Sequence, residues 1–212
     1  MRIFGHDIYT TAWGGAPISS VLDRAALLRA RGTGKNVLVL IAGTNDISQI
    51  VTSSSRKSAD QTSCQAAVKQ IIDQHRFFLK HNSDRYDLVF FAELLPQKWE
   101  DEGKQALATV LIECFNEELK NLVADFDFEI ATNDRRPCQV VVIPIYEKFG
   151  FDDLDQLGTK DSAVHLRYEK PQRAFRRNEA DIATENHNRP REKFAMVIGE
   201  FLEKILEPYC KV

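Results

Sequence analysis

The 212-residue sequence predicts a three-layer α/β/α domain with a parallel sheet between helices. Three observations lead to this prediction. Short apolar segments alternate with longer amphipathic ones, as in parallel strands joined by helical crossovers. Three of the apolar segments are uninterrupted, which is typical of strands covered on both faces. The length suits one domain, and the 43% hydrophobic share provides a substantial core, so we expect residues 1–212 to form a single domain.

The first part of the chain predicts a strand, a helix and a second strand. A weak strand over Arg2–Tyr9 leads into a turn rich in glycine and proline. Apolar residues at three–four spacing then predict a helix over Ile18–Arg31, which Gly32 ends in the left-handed conformation. The apolar run Asn36–Ala42 predicts a buried strand, and the serine-rich Ser53–Ser63 predicts a mobile loop.

The second part predicts three helices and two further buried strands. The strands are Asp87–Glu93 and Gln139–Ile145. A long helix with acidic residues in its first turn covers Asp101–Phe126, and a last helix runs from Pro190 to Leu206. The helix Ser63–His81 precedes these elements, and His75 is interpreted as one of its packing residues. Its predicted buried stripe consists of Val68, Ile71, Ile72, His75, Phe78 and Leu79.

Composition excludes several classes of protein. The net charge of −3 and the pI near 6.0 disfavour a surface that is basic throughout, although they permit a local basic patch. No apolar run reaches the roughly 18 residues of a membrane span. The four cysteines include no C-x-x-C pair, so we expect reduced, mostly buried thiols in a cytosolic or nuclear protein and predict neither a metal site nor a cofactor. These cysteines are Cys64, Cys114, Cys138 and Cys210.

Two polar motifs follow predicted strands. Gly43–Asp46 (G-T-N-D) lies at a strand's carboxyl end, where open parallel sheets bind ligands. There Asn45 can aim its amide into the crevice and donate to a developing oxyanion. The alternative is a plain turn, because Gly, Asn and Asp are turn formers. His165 follows the last predicted strand, with Asp161 upstream, and a late acid–histidine pair is one half of a hydrolase crevice.

These residues resemble the motifs of the SGNH hydrolase family, which has a flavodoxin-like fold. Gly43–Asp46 matches the family's G-x-N-D block in full, and Gly14–Leu22 is similar to its glycine block. The family's G-D-S nucleophile block is missing, since the closest stretch, Gly5–Asp7, has no hydroxyl. The acid upstream of His165 is also one residue too distant. Because loss of the nucleophile costs about six orders of magnitude in rate, the resemblance implies a vestigial crevice with Asn45 and His165 as its remnants.

The opening stretch R-I-F-G-H-D-I-Y-T-T-A-W-G-G-A-P-I-S, together with the missing serine, resembles the OSK domain family. This family comprises the catalytically inactive, SGNH-like domains of Oskar-type germ-plasm organisers in insects. The resemblance covers nearly the whole chain. It implies a non-enzymatic RNA-binding domain with a developmental role, which binds mRNA, with 3′ untranslated regions expected, through basic surface residues. It further implies germ-plasm protein partners and a location in cytoplasmic ribonucleoprotein granules.

A basic cluster in the last third of the sequence provides a surface for such binding. Between Arg167 and Arg177 stand five basic residues against one acid, with Tyr168 and Phe175 interleaved. Arginines grip phosphates and stack on bases, and aromatic side chains add stacking platforms. The alternative is a solvated face whose arginines pair with neighbouring acids. The predicted RNA-binding residues are Arg167, Lys170, Arg173, Arg176, Arg177, Arg189 and Arg191.

Two further functions stay open. The first is an esterase or acetylhydrolase that uses His165 and Asn45 with an unrecognised serine, or with a nucleophile strand upstream of Met1. The second is a protein-interaction scaffold whose partner surfaces are the loop Ser53–Ser63 and the acidic stretch Asp152–Asp155.

Overall fold

The computed structural model describes residues 2–3, 6–7, 15–28, 34–54, 61–132 and 138–148, together with 201, 203–205 and 207–209. The chain divides into two compact units, residues 11–149 and residues 1–10 with 150–212. In the second unit, β1 (Arg2–Ile3) pairs antiparallel with β2 (His6–Asp7), and residues 201, 203–205 and 207–209 are helical. The prediction of a single domain over residues 1–212 is not tested by this division.

The larger unit contains a three-stranded parallel sheet. Its strands β3 (Val37–Leu40), β4 (Leu88–Ala92) and β5 (Gln139–Ile143) lie side by side in sequence order. Val39 pairs with Phe90, and Phe90 pairs with Val141, so the alternating side chains of the three strands share two faces. The α/β class predicted from the sequence is confirmed, whereas the layer of helices predicted for each face remains a prediction.

Five helices accompany the sheet in the described residues of this unit. They are α1 (Ile18–Leu27), α2 (Thr44–Ser53), α3 (Gln61–Asn82), α4 (Glu102–Thr132) and the short α5 (Ile145–Lys148), with a 3₁₀ turn at Ser83–Arg85. Helices α1 to α4 form one apolar core with a single face of the sheet. That face contributes Leu38, Leu40, Val89, Phe91 and Val140.

Several expected elements are confirmed. The six residues predicted to form the buried stripe of α3 are all buried, since three–four spacing places them on one side of the helix. All five residues of β4 are buried, as the uninterrupted apolar run predicted. Asp101 begins α4 by accepting the backbone N–H of Lys104 at 2.8 Å. Cys114 and Cys138 are buried, and burial with nearby carboxylates raises the pKa of Cys138 to about 11.

Other expectations need correction. The predicted strand Arg2–Tyr9 is instead two short strands paired with each other. Helix α1 ends at Leu27, before the predicted Arg31, and Leu28 is extended. Its last carbonyls accept hydrogen bonds from side chains distant in sequence: Tyr86 Oη donates to Ala25 O at 2.7 Å, and Arg85 donates to Ala26 O. Tertiary donors therefore satisfy the end of the helix before a glycine cap is reached.

Candidate functional site

The carboxyl ends of the three strands meet at one edge of the sheet, where open α/β folds bind ligands. Three segments leave the sheet there: residues 41–43 before α2, the irregular segment 93–100 before α4, and Pro144 before α5. Polar side chains from α2 and α4 contact the middle segment. We define these three segments with their polar contacts as the strand-end site.

Gly43 turns the chain from β3 into α2. Its φ of +113° is a conformation that L side chains rarely adopt. A Cβ atom at this position would lie 3.3 Å from the Phe115 ring and 3.5 Å from Leu94 Cδ1. The G-T-N-D motif is therefore neither a plain turn nor an irregular loop, because Thr44 already lies in the first turn of α2.

Asn45 and Asp46 connect this first turn to the start of α1. Asn45 Nδ2 donates to Ala16 O at 2.9 Å, and Asp46 Oδ2 accepts the Ile18 N–H at 2.9 Å. Ile18 begins α1 after Pro17, which caps no N–H group with its side chain, so Asp46 supplies the missing acceptor from another helix. Burial raises the pKa of the Asp46 carboxyl, and the backbone N–H donors partly oppose this shift.

Asn116 and Gln97 connect the middle segment to α4 and α2. Asn116 Oδ1 accepts the Leu94 N–H at 2.8 Å, and its Nδ2 donates to Leu94 O at 3.2 Å. The buried Gln97 donates to Thr44 O at 3.1 Å and accepts from Trp99 Nε1 at 3.3 Å. Side-chain amides thus replace the ladder partners that this segment loses beyond the strand.

Glu93 places a buried carboxylate at the end of β4. It is 1% exposed, and its Oε1 lies 2.8 Å from Lys120 Nζ of α4. Its Oε2 accepts the Tyr146 N–H at 3.0 Å, which fixes the start of α5. The Tyr146 hydroxyl donates to Glu113 Oε1 at 3.2 Å, and burial together with the Glu113 and Glu93 carboxylates raises its pKa to about 12. The tyrosine is therefore a neutral hydrogen-bond donor at physiological pH.

Of the residues predicted from the sequence to form a site, the structure describes Asn45 alone. One Nδ2 proton of Asn45 is engaged with the loop before α1. His165 and Asp161 lie outside the described residues, and so do the predicted RNA-binding residues. The acidic stretch Asp152–Asp155 also lies outside them. The vestigial role of Asn45 and His165 thus stays a prediction.

The residues that organise the strand-end site have no sequence motif that predicts their role. Glu93 was read as the last residue of a strand, where an acid is ordinarily solvated. Asn116 occupies the middle of a long helix, and its polar character only interrupts the apolar stripe. The one available signal was a polar residue at a core-facing helical position, because such a residue is buried only when it has a partner.

Within the described ranges, no group of three or more His, Cys, Asp or Glu side chains is arranged to hold a metal ion. No helix in these ranges is both long and apolar enough to cross a membrane. The His75 ring is buried between Phe91 and Phe115, with centroid distances of 5.1 and 5.7 Å, as expected of a packing histidine.

Comparison with family models, curated proteins and solved structures finds no match to this chain. The strand-end site is therefore described from the contacts within this chain. Its described polar side chains bond mainly to backbone groups of the same site, so they shape a rigid surface at the sheet edge.

Proposed function

We propose that this chain is a non-enzymatic RNA-binding domain of the OSK type, with an SGNH-like, three-layer architecture. It binds mRNA through the basic cluster defined by Arg167, Lys170, Arg173, Arg176, Arg177, Arg189 and Arg191. Its expected setting is the cytoplasmic ribonucleoprotein granule, with germ-plasm proteins as partners. The observation that carries the proposal is the density of basic residues in 167–177, five against one acid, in a chain of net charge −3.

The residue types of segment 167–177 suit the binding of single-stranded RNA. Guanidinium groups contact phosphates in pairs of hydrogen bonds and also stack on bases. Tyr168 and Phe175 stand between the basic residues and provide aromatic faces for unpaired bases. Since the rest of the chain is on balance acidic, a concentrated cluster directs a polyanion to one part of the surface.

The use of Asn45 supports the non-enzymatic half of the proposal. An oxyanion donor needs an N–H group aimed at the reacting atom, whereas Asn45 Nδ2 directs one of its two N–H groups to Ala16 O at 2.9 Å and is oriented by that hydrogen bond. Asp46 beside it accepts the first N–H of α1. Asn45 and Asp46 of the G-T-N-D motif therefore both have structural partners, which gives these two residues a role that does not require catalysis.

RNA crosslinking with matched charge reversals tests the proposal. The double variant Arg173→Glu/Arg176→Glu should crosslink to RNA roughly tenfold less than the wild type, because phosphate contacts become repulsions. The control, Lys69→Glu/Lys80→Glu, makes the same change of charge at exposed positions of α3 and should retain crosslinking. Circular dichroism verifies that both variants fold. Equal crosslinking by all three proteins would contradict the proposal.

A fluorophosphonate probe tests the non-enzymatic half separately. The probe labels activated serines, and we expect the folded chain to show no more labelling than the heat-denatured chain. Labelling of the folded chain that is lost on denaturation would instead establish an esterase-type serine. His165→Ala would then show whether this histidine is its base.

A further inference from the structure

A groove between α1 and α3 lies away from the strand-end site. Its cavity volume is about 310 Å³. Leu22, Ala26 and Phe78 form an apolar floor, and two of them are almost fully buried in the core. We call this feature the α1–α3 groove. Its remaining lining residues are Ser19, Asp23, Asp73, Gln74, Phe77 and Asn82.

Phe77 gives the groove an exposed aromatic wall. Its side chain is 65% exposed. This exposure is unusual for phenylalanine, and Phe77 lies outside the buried stripe of α3. His81 stacks against the ring at a centroid distance of 4.0 Å and an interplanar angle of 34°. The ring is thereby held in one orientation although it faces water. At the end of α1, Leu27 adds apolar surface that is 78% exposed.

The charge of the groove is negative. Asp23 of α1 and Asp73 of α3 line it from its two helices, and both are exposed. The lining includes no lysine or arginine. On the same helix, Arg76 is directed elsewhere and pairs with Asp125 of α4 at 3.5 Å. Two carboxylates therefore flank an apolar floor with no cation of the groove itself between them.

Gln74 adds an acceptor to the same wall. Its Oε1 is buried and has no hydrogen-bond partner, while its Nε2 donates to Gln70 O at 3.3 Å. A buried carbonyl oxygen without a donor costs free energy, roughly 1–3 kcal/mol. If Gln74 turned toward a donor in the groove, its oxygen would lose no existing hydrogen bond. The groove thus combines two carboxylates with an aromatic face, and Gln74 adds an amide oxygen when its side chain turns toward a bound donor.

We propose that the α1–α3 groove binds an arginine side chain of a partner polypeptide. The guanidinium is planar, so it stacks on the free face of Phe77 while its N–H groups reach Asp23, Asp73 and Gln74. The aliphatic stem of the arginine covers the apolar floor. Neighbouring apolar residues of the partner cover Leu27. Lysine fits less well, because its compact ammonium holds water strongly and has no planar face to stack.

Fluorescence anisotropy of a labelled peptide tests this inference with the full 212-residue chain. The probe is a twelve-residue helical peptide with leucines at three–four spacing and two arginines. Its matched control has citrulline in place of both arginines, which keeps the shape and removes the charge. The arginine peptide should bind roughly tenfold more tightly than the citrulline peptide, because only a charged guanidinium pairs with the two carboxylates.

Variants of the groove distinguish it from other acidic surfaces. Asp23→Asn/Asp73→Asn should weaken the arginine peptide about tenfold and leave the citrulline peptide unchanged. Phe77→Ala should weaken the binding of both peptides, and the protein should stay folded because this side chain is exposed. Glu117→Gln, an exposed carboxylate of α4 outside the lining, should change neither. Equal affinity for the two peptides, an unaffected double variant, or binding of free arginine amide as tight as that of the peptide would overturn the inference. None of these outcomes depends on RNA binding.

Discussion

At the scale of single residues, His75 shows how the core determines protonation. The ring is 2% exposed and lies against Phe91 and Phe115, and its Nδ1 is 3.0 Å from Ile71 O. A neutral imidazole donates its Nδ1–H to that carbonyl, whereas a charged imidazole would need hydration that the core does not provide. Burial therefore lowers the pKa of His75 from 6.5 to about 4.

This shift makes stability depend on pH. Above pH 6.5 His75 is neutral in both the folded and the unfolded state and has no effect on the pH dependence. As the pH falls toward about 4, the unfolded state takes up a proton that the folded state does not, so the free energy of unfolding decreases. The full loss amounts to about 3 kcal/mol. Urea denaturation between pH 7 and 4 measures it.

Two substitutions separate this effect from general destabilisation. His75→Phe should remove most of the pH dependence in this window, because the group that titrates is gone. Ile72→Val, at a buried position of the same helix, should cost about 1 kcal/mol equally at each pH. A variant His75→Phe with the wild-type slope would show that another group is responsible.

Glu93 and Lys120 form an ion pair between the end of β4 and α4, and Glu93 also contacts the start of α5. Lys120→Met leaves the Glu93 carboxylate buried without its cation and should lower the free energy of unfolding by about 1–3 kcal/mol. The loss stays moderate because the lysine side chain is 46% exposed, so water replaces part of its effect. Adding Glu93→Gln should restore part of the loss, because the neutral amide still accepts the Tyr146 N–H. A double-mutant cycle by urea denaturation measures the coupling. Additive losses would contradict a direct interaction.

At the scale of elements, the junction between β3 and α2 depends on Gly43. Gly43→Ala adds a Cβ atom at positive φ and 3.3 Å from Phe115, so it should cost about 2–4 kcal/mol. Gly15 is the matched control. It also has a positive φ, of 78°, but a Cβ there would meet nothing within 4 Å, so Gly15→Ala should cost about 1 kcal/mol. Equal shifts of the two melting temperatures would mean that Phe115 yields without cost.

Sequence patterns predicted the elements whose stabilising contacts are periodic. The stripe of α3 and the run of β4 follow directly from helical and strand geometry, and both are confirmed. Helix α2 was missed because its first residues, Thr44, Asn45 and Asp46, also favour turns. What makes them helical is tertiary: Asn45 and Asp46 bond to the start of α1, which lies 28 or 29 residues earlier in the chain.

The candidate site was harder to predict than the fold for the same reason. Asn116 bonds to the backbone of a non-repetitive segment, and Gln97 of that segment bonds to Thr44 O of α2. Such contacts leave no period in the sequence. The end of α1 depends on Tyr86 and Arg85, which are about sixty residues away in the chain. Local pattern reading therefore identifies where an element is buried, while distant polar partners decide where it ends.

At the scale of the whole molecule, the two proposed binding surfaces carry opposite charge. The proposed RNA-binding cluster is basic, whereas the α1–α3 groove is acidic and apolar. A polyanion and an arginine-bearing peptide would be directed to different surfaces by charge alone.

The salt dependence of RNA affinity directly tests whether the 167–177 cluster binds RNA. A fluorescein-labelled, uridine-rich single-stranded RNA is titrated with the full chain over a series of salt concentrations. We expect the logarithm of the RNA association constant to fall linearly with the logarithm of the salt concentration. Arg173→Glu/Arg176→Glu should make this slope shallower by about 1.4, because each lost contact to a single-strand phosphate reduces the slope by about 0.7. An affinity that does not change with salt, or a variant with the wild-type slope, would contradict RNA binding through the 167–177 cluster.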